Sequence, residues 1–291
     1  MKRDSVLFLG SGDLGQRAGG ALLEAGMTVA GARRDPARLP AGFQSFAADY
    51  LQPATLGFIP DLNPSYIVTC FKPTSRDLAG YRAGFVDASR NLLAALGSCQ
   101  PRRLLFVSST RVFAEQDGGW VTEDSPRAQS DPAALAMIEA EQLLAAAVPT
   151  TAIYFSGIYG DPQGRLLSRI GRGELAAAEP AYFSNRIHRE DAGAFIAHLL
   201  LTDRADNDHD SLAPAYIGSD NLPALQHEVE HWLAEQMGVA PSGEGIAAPR
   251  MSPGHKRCSN SLLRASGFEL RYPDYRSGYA AVLACRTRQP G

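Results

Sequence analysis

Three glycines near the amino terminus have the spacing of a phosphate-binding turn. Gly10, Gly12 and Gly15 follow an apolar run at residues 5–10 and open a stretch with a helical pattern. The first glycine of such a turn permits a tight bend, the second lets backbone N–H groups approach a pyrophosphate, and the third lets helix and strand pack closely. The alternative is a tight turn without a ligand. We predict that a dinucleotide binds at the whole turn, which comprises Gly10, Ser11, Gly12, Asp13, Leu14 and Gly15.

The choice between the two nicotinamide dinucleotides should be made at the end of the second strand. An acidic residue there accepts a hydrogen bond from the ribose of NAD, whereas arginine binds the 2′-phosphate of NADP. Arg33 and Arg34 occupy this position and are followed by Asp35. Because the chain has 25 arginines and three lysines, any single arginine is weak evidence for a phosphate site. The pair favours NADP as the cofactor, and Asp35 leaves NAD open.

Apolar runs and helical patterns alternate along the first 160 residues. Strands that alternate with helices form parallel sheets covered by helices on both faces. The sequence therefore predicts an α/β protein with an NAD(P)-binding Rossmann fold, a doubly wound parallel sheet and a smaller carboxyl-terminal substrate lobe. The predicted strands lie at residues 5–10, 27–32, 66–71, 103–108, 150–155 and 216–218. The predicted helices lie at residues 13–25, 77–96, 132–147, 191–201 and 222–237.

The regular alternation weakens after about residue 160, and this change suggests a domain boundary. We predict that residues 1–160 form the dinucleotide-binding domain, with residues 185–220 returning to it. Residues 161–184 and 221–291 are predicted to form a smaller substrate-binding lobe.

Composition excludes several classes of partner. The chain has 291 residues, of which 45% are apolar and 20% charged, and its formal net charge is −3. Without a block of basic residues, neither nucleic acid nor an anionic membrane is expected as a partner. No apolar run reaches the roughly 18 residues of a membrane span, and residues 1–12 lack the pattern of a signal peptide. We therefore expect a cytoplasmic protein, with a small-molecule substrate and a monomeric or homodimeric state.

Further segments resemble the extended short-chain dehydrogenase/reductases, the group that contains the NAD-dependent epimerase/dehydratases of nucleotide sugars. The resemblance covers essentially the whole chain. Besides the glycine turn, it is carried by Ala48-Asp49-Tyr50, Arg90-Asn91-Leu92-Leu93, Ser108-Ser109-Thr110-Arg111-Val112-Phe113, Ser156-Gly157-Ile158-Tyr159-Gly160 and Asn185-Arg186-Ile187-His188.

The resemblance implies further cofactor contacts. Asp49, with Tyr50 beside it, corresponds to the family's adenine-contacting aspartate after the third strand. Phe71 and Lys72 lie at the carboxyl end of the strand predicted at residues 66–71, at the sheet edge where ligands of this fold bind. The alternative for Lys72 is a surface lysine beside a turn proline.

The family's catalytic pair is missing from this chain. In the family, a Tyr-x-x-x-Lys pair on the fifth helix does the chemistry: the lysine lowers the tyrosine pKa, and the tyrosine exchanges a proton with the substrate oxygen. The corresponding positions hold Ala133 and Met137, and Tyr-x-x-x-Lys occurs nowhere in the sequence. Leu9 and Phe85 also replace the family's first glycine and a helical asparagine. The resemblance thus implies cofactor binding more strongly than turnover.

Two hydroxyl residues are the candidates for residual catalysis. Ser109 keeps the position of the family's catalytic serine or threonine, and Thr110 is a substitute of the same kind. The alternative for Ser109 is a strand-end hydroxyl that bonds nearby backbone. We expect turnover of nucleotide sugars to be absent or slow, with Lys72 and Tyr159 as less favoured proton donors than the two hydroxyls.

Four further residues are candidates for substrate binding. The resemblance places Tyr159, Asn185, Arg186 and His188 in segments that line the family's substrate cleft. The alternative for the last three is a polar clamp that serves only the fold.

The sequence leaves three kinds of function open. The first is a nucleotide-sugar epimerase, dehydratase or reductase that prefers NADP and has a replaced acid–base group. The second is a non-catalytic sensor or scaffold that binds NADP. The third and most remote is a zinc metallohydrolase, because His227 and His231 form an H-E-x-x-H motif with Glu228 as the general base. We expect no metal in this protein.

Overall fold

The computed structural model describes residues 4–206, 212–243, 245 and 254–287. The strands are β1 (Ser5–Leu9), β2 (Thr28–Arg33), β3 (Gln44–Ala47), β4 (Tyr66–Thr69), β5 (Arg103–Ser109), β6 (Trp120–Val121), β7 (Thr150–Phe155), β8 (Gly157–Tyr159), β9 (Phe183–Ser184), β10 (Arg186–His188), β11 (Ala215–Gly218), β12 (Ala224–Leu225) and β13 (Arg257–Cys258). The helices are α1 (Asp13–Glu24), α2 (Ile59–Leu62), α3 (Leu78–Tyr81), α4 (Ala88–Ala95), α5 (Pro132–Ala147), α6 (Arg165–Ile170), α7 (Arg189–Ala205), α8 (Gln226–Met237), α9 (Ser261–Ala265) and α10 (Tyr275–Thr287).

The described residues form a central seven-stranded sheet in the order β11-β7-β5-β4-β1-β2-β3. β1 pairs in parallel with both β2 and β4, and parallel pairing continues from β2 to β3 and from β4 to β5. The chain therefore leaves β1 in one direction and returns to its other side at β4. This is the doubly wound Rossmann topology that the sequence predicts, and its strand order reverses between β1 and β4, where ligands of such sheets bind.

The structure confirms the predicted strands of the sheet. They could be predicted because their residues are buried on both faces. Every residue of β1 and β4 is buried, as a continuous apolar run requires in a parallel sheet. β3 was not predicted, because it is an edge strand with three exposed residues and no apolar run. The short strand pairs outside the sheet were not predicted either.

The helix predicted at residues 77–96 is interrupted in its middle. α3 leads into a π-helical segment, Arg82–Asp87, before α4 begins at Ala88. The π segment contains Phe85, the residue that replaces the family's asparagine. Wider helical turns of this kind often occur near functional sites.

Two other helix predictions have different outcomes. α5 has the predicted bounds, because Asp131 accepts a hydrogen bond from the Ala133 N–H at 3.1 Å and proline occupies the first turn. The helix predicted from residue 222 begins only at Gln226, because β12 pairs antiparallel with β9 just before it. Among the described residues, no helix has both the length and the apolar character needed to cross a membrane.

The chain divides into two compact units. Unit 1 comprises described residues within 1–112, 128–154 and 192–216, and unit 2 those within 113–127, 155–191 and 217–291. Unit 1 contains β1–β5 and α1–α5. Unit 2 has its own apolar core, which includes Leu167, Ile170, Val229, Leu233 and Tyr275. The domain boundaries drawn from the sequence differ from this division at residues 113–127, 155–160, 185–191 and 217–220, and they stay a prediction.

Candidate functional site

The glycine turn between β1 and α1 is shaped by two close approaches. Gly10 has φ of +82°, and a Cβ atom there would lie 2.8 Å from the carbonyl oxygen of Cys70. A Cβ atom on Gly15 would lie 3.3 Å from the Phe8 ring. The first glycine is thus required by backbone conformation, and the third by the packing of α1 against β1.

Gly12 differs from the other two glycines because the protein itself leaves room for a side chain there. The nearest atoms to a Cβ on Gly12 would be the Gly10 oxygen at 3.8 Å and the Lys72 Nζ at 3.9 Å. Gly12 is the N-cap of α1 and supplies no side-chain cap to the helix. The open amino end of α1 therefore faces space that a ligand can fill, and it favours an anion.

Ser11 adds a second indication of a ligand. Its hydroxyl oxygen is buried and has no hydrogen-bond partner among the described residues. Its backbone N–H donates to the Ala32 carbonyl at 3.1 Å, which ties the turn to β2. A buried hydroxyl without a partner is costly in a folded protein unless a ligand or water completes it.

A cavity of about 490 Å³ opens at this turn, within unit 1. It lies at the carboxyl ends of β1, β2 and β4, beside the point where the strand order reverses. Four cationic side chains and two carboxylates line it, so its charge is positive on balance. Its lining residues are Gly10, Ser11, Gly12, Arg33, Arg34, Asp35, Arg38, Ala48, Asp49, Tyr50, Leu51, Cys70, Lys72, Pro73 and Thr74.

Most of the cofactor residues predicted from the sequence come together here. Gly10, Ser11, Gly12, Arg33, Arg34, Asp49, Tyr50 and Lys72 all line the cavity. Asp13, Leu14, Gly15 and Phe71 do not line it. Phe71 is instead buried, with its ring 4.8 Å from that of Tyr50. Arg38, which was not predicted from the sequence, follows β2 in a 3₁₀ turn and also lines the cavity.

The arginines at the cavity are arranged so that two remain exposed. Arg33 donates to the Ser11 carbonyl through Nη1 at 3.4 Å, while Arg34 is exposed. Exposed Arg38 lies 3.9 Å from the carboxylate of Asp35, measured from its Nε. Arg38 therefore offsets the negative charge of Asp35. The three arginines leave this part of the cavity with a net positive charge.

Tyr50 and Lys72 both line the cavity and are joined by a hydrogen bond. The backbone N–H of Lys72 donates to the phenolic oxygen of Tyr50 at 3.3 Å. Burial raises the pKa of Tyr50 above its ordinary value, although this hydrogen bond opposes the shift. Asp49 accepts a hydrogen bond from the Leu51 N–H at 3.0 Å through one carboxylate oxygen. The Lys72 side chain is exposed on the cavity wall.

Ser109 and Thr110 lie at the end of β5 in unit 1. The Ser109 hydroxyl oxygen accepts the Arg111 backbone N–H at 3.2 Å, and Thr110 opens a 3₁₀ turn. Ala133 and Met137 are buried in α5 and carry no group that transfers protons. The side chain of Arg111 binds Asp131, the N-cap of α5, with Nη2 donating to Oδ1 at 3.0 Å.

Tyr159 and His188 belong to unit 2, where their strands pair in parallel. The two rings meet edge to face with centroids 5.2 Å apart. The Tyr159 hydroxyl is buried without a hydrogen-bond partner among the described residues, and burial raises its pKa strongly. His188 accepts the Glu190 backbone N–H through Nδ1 at 3.2 Å. A buried phenol with a raised pKa is a poor proton donor at neutral pH.

Asn185 and Arg186 play different parts in unit 2. The Asn185 amide nitrogen donates to the Lys256 carbonyl at 2.8 Å, and its oxygen accepts the Cys258 N–H at 2.8 Å. Both polar atoms of this side chain therefore bind backbone groups at β13. Arg186 is 5% exposed and donates through Nη2 to the Ser184 hydroxyl at 2.6 Å. Its Nη1 has no partner among the described residues. Asn185 thus has a structural role, while Arg186 retains an unused donor.

The H-E-x-x-H residues lie on α8 in unit 2. His231 and Glu228 are exposed, and the Nδ1 of His227 is buried without a hydrogen-bond partner among the described residues. In the part of the chain that the structure describes, no group of three or more His, Cys, Asp or Glu side chains is placed to hold a metal ion.

Comparison with known proteins identifies relatives by structure. A scan of family models found no match, and a search of curated protein sequences found none either. The structure of a candidate NAD-dependent epimerase/dehydratase from Methylobacillus flagellatus has 36% sequence identity and a TM-score of 0.81, with 98% of this chain and 99% of that chain covered.

Two UDP-glucose 4-epimerases show the same fold at lower identity. The Thermotoga maritima enzyme, solved with UDP-glucose, has 16% identity and a TM-score of 0.77, with 98% of each chain covered. The Thermus thermophilus enzyme, solved with NAD, has 18% identity and a TM-score of 0.78, with 99% of this chain and 100% of that chain covered.

Proposed function

The chain belongs to the NAD-dependent epimerase/dehydratase family, and we propose that it binds NADP(H) in the cavity at the glycine turn. The observation that carries this proposal is the meeting of the open amino end of α1 with four cationic side chains in one cavity. An anionic dinucleotide is the class of ligand that uses both features.

The residues of this cavity fit such a cofactor. The first N–H groups of α1 would hold the pyrophosphate, since Gly12 lets the ligand reach the backbone and Ser11 has an unused buried hydroxyl. Arg33, Arg34 and Arg38 would bind the 2′-phosphate that distinguishes NADP from NAD. The volume of about 490 Å³ lies within the usual range for ligand pockets, roughly 300–1,000 Å³.

Asp49 and Tyr50 would lie near the adenine, as the family resemblance implies. The nicotinamide of a bound NADP(H) supplies hydride transfer. Lys72, at the end of β4, would neutralise a phosphate or orient a ribose hydroxyl. The protein's own contribution is therefore orientation and charge neutralisation at the sheet edge.

We further propose a nucleotide sugar as the substrate class. Relatives with this fold have been solved with UDP-glucose and with UDP-glucuronic acid. In unit 2, Tyr159 and Arg186 carry polar atoms without partners among the described residues, and His188 lies against Tyr159. These three side chains are the candidates for substrate recognition, whereas both ends of Asn185 are occupied by backbone groups.

A non-catalytic NADP sensor is the second candidate. It is favoured by the buried Ala133 and Met137, which cannot transfer a proton. An enzyme must then use other groups at the end of β5, with Ser109 and Thr110 as the first candidates from the sequence. Turnover distinguishes the two functions.

Cofactor binding is tested with the purified chain and reduced nicotinamide fluorescence. NADPH should bind at least about tenfold more tightly than NADH, because one charge-assisted hydrogen bond contributes about 1.5–3 kcal/mol. Equal affinity for the two cofactors would contradict the NADP preference, and binding of neither would contradict the proposed function. Cofactor oxidation with UDP-linked keto sugars then separates an enzyme from a sensor.

A further inference from the structure

A tyrosine that the sequence analysis did not select lies beside Arg111 in unit 1. Arg111 donates through Nη1 to the phenolic oxygen of Tyr81 at 3.4 Å, and its guanidinium carbon lies 5.5 Å from the ring centre. Asp131 holds the same guanidinium through Nε and Nη2. Arg111 therefore presents an N–H group to the Tyr81 oxygen from a fixed position.

This contact adjoins the start of α5, the helix in which Ala133 stands at the position of the family's catalytic tyrosine. Arg111 follows Ser109 by two residues, and its backbone N–H donates to the Ser109 hydroxyl oxygen at 3.2 Å. Its carboxylate partner, Asp131, is the N-cap of α5 and also accepts the N–H of Ala133. Tyr81 thus reaches the junction between the end of β5 and the start of α5 from a different helix.

Neighbouring contacts hold Tyr81 in place. The next residue, Arg82, pairs with Glu139 of α5 at 2.8 Å, and Arg90 pairs with the same carboxylate at 3.0 Å. The Tyr81 ring stacks on Phe85 with centroids 5.9 Å apart. The π segment and α4, which follow the tyrosine, are therefore fastened to α5.

The hydrogen-bond pattern leaves the Tyr81 proton available. The phenolic oxygen accepts from Arg111, and in the described part of the chain its O–H has no acceptor. The Ser109 hydroxyl has the same pattern, because it accepts from the Arg111 backbone. A guanidinium next to the phenolic oxygen stabilises the negative charge that remains after the proton leaves. The hydrogen bond to Asp131 raises the pKa of Arg111, so the positive charge persists at any working pH.

We infer that Tyr81, paired with Arg111, is the proton donor and acceptor that replaces the absent Tyr-x-x-x-Lys pair. The inference rests on the proposed function, which supplies the reduced nicotinamide. In the reductive direction, the substrate carbonyl carbon receives a hydride and the cofactor loses two electrons. The Tyr81 O–H bond breaks, its proton goes to the carbonyl oxygen, and the phenolate, held by Arg111, takes a proton from solvent.

The first test needs no substrate. The chain is treated with N-acetylimidazole with and without NADPH, and acetylated tyrosines are quantified by peptide mass spectrometry. At an NADPH concentration about ten times its Kd, acetylation of Tyr81 should fall about tenfold, because only free protein then reacts. Tyr182 of unit 2 is the internal reference and should change little. Equal modification of Tyr81 with and without bound NADPH overturns the inference.

The second test uses Tyr81→Phe, which keeps the ring and removes the hydroxyl. The reduction of a UDP-linked 4-keto hexose and of 4-nitrobenzaldehyde is measured as the rate of NADPH oxidation. The variant should lose about 10²–10⁴-fold in kcat, the range of positioned acid–base catalysis. Its Kd for NADPH should stay within about twofold of the wild-type value, a change well below one hydrogen bond.

Three further variants separate chemistry from structure. Arg111→Met should also lower kcat, and Arg111→Lys should restore part of it because the positive charge returns. Tyr66→Phe is the matched control, since buried Tyr66 begins β4, at the opposite end of the strand from Lys72. It should retain wild-type turnover.

The outcomes distinguish the two proposals. If NADPH does not bind the wild-type chain, the proposed function fails. If NADPH binds and protects Tyr81, and Tyr81→Phe loses turnover while Tyr66→Phe does not, the inference stands. If NADPH binds but neither carbonyl is reduced, or Tyr81→Phe turns over like wild type, Tyr81 is not the proton donor.

Discussion

Arg33 reaches from the end of β2 to the glycine turn, where its Nη1 donates to the backbone carbonyl of Ser11 at 3.4 Å. This hydrogen bond uses one of the five N–H donors of the guanidinium. The others remain at the cavity, next to exposed Arg34. The relationship ties the arginine that favours NADP to the loop that would hold the pyrophosphate.

Replacement of Arg33 and Arg34 by alanine should abolish the preference for NADPH. Each lost charge-assisted hydrogen bond is worth about 1.5–3 kcal/mol, so the Kd for NADPH should rise about 10–100-fold or more. The Kd for NADH should change much less, because NADH has no 2′-phosphate. Fluorescence titration measures both constants. Arg264→Ala is the control, since Arg264 is exposed on α9 in unit 2; a similar loss in this control would point to a general charge effect.

Gly12→Ala should weaken cofactor binding without destabilising the protein. The added Cβ meets no atom closer than 3.8 Å in the protein, and the φ of −93° lies outside the left-handed region that favours glycine. It would, however, fill the space through which a pyrophosphate reaches the end of α1. The Kd for NADPH should rise about tenfold or more, the loss of one hydrogen bond to a charged group.

The matched control for this change is Gly20→Ala, inside the same helix. A Cβ on Gly20 would have no atom within 4 Å, so this variant should bind NADPH normally. It should also be more stable by about 0.5–1 kcal/mol, because alanine favours the helix. If both variants bind NADPH like the wild type, the ligand does not approach Gly12.

Gly10→Ala should act on stability instead. The residue has φ of +82°, and its Cβ would lie 2.8 Å from the Cys70 carbonyl oxygen. The free energy of unfolding should fall by about 2 kcal/mol or more, since left-handed strain and a backbone clash combine. Urea unfolding measures the change. Gly57→Ala, which has φ of −60° and open space around it, should stay within about 0.5 kcal/mol of the wild type.

The sheet could be predicted from the sequence because its strands are buried on both faces. Such strands form continuous apolar runs, as in β1 and β4. β3 escaped prediction because an exposed edge strand does not need apolar residues. The π segment within 77–96 escaped for another reason: apolar periodicity does not distinguish one wider turn from an α-helix.

The candidate site was predictable where its residues are neighbours in sequence, or where a segment such as Asp49–Tyr50 resembles the family. The glycine turn and Arg33–Arg34 lie in one strand–helix–strand unit, where spacing carries information. The contact between Tyr81 and Arg111 joins residues 30 apart, and it depends on how α3 packs against α5. In a chain with 25 arginines, no pattern marks Arg111 before the fold brings it to Tyr81.

Asp220 of unit 2 should make the stability of the protein depend on pH. Its side chain is 1% exposed, and burial raises its pKa from 3.8 to about 7. The Leu222 N–H and Arg186 oppose this shift, while Asp274 and Asp191 add to it. One carboxylate oxygen accepts the Leu222 N–H at 3.1 Å, and the other has no hydrogen-bond partner among the described residues. The folded protein therefore retains a proton that the unfolded chain releases at lower pH.

Because the folded state binds more protons between about pH 4 and pH 7, the free energy of unfolding should fall as the pH rises through this window. The contribution of one group is at most about 1.4 kcal/mol per pH unit. Asp220→Asn should remove it, because the amide stays neutral while its oxygen can still accept the Leu222 N–H. Urea unfolding at pH 5 and pH 8 should show the variant close to wild type at the lower pH and more stable than wild type at the higher. Asp117→Asn, at an exposed position of the same unit, should leave the pH dependence unchanged. An Asp220→Asn variant that loses stability with rising pH as steeply as the wild type would show that Asp220 is already ionised in the folded protein.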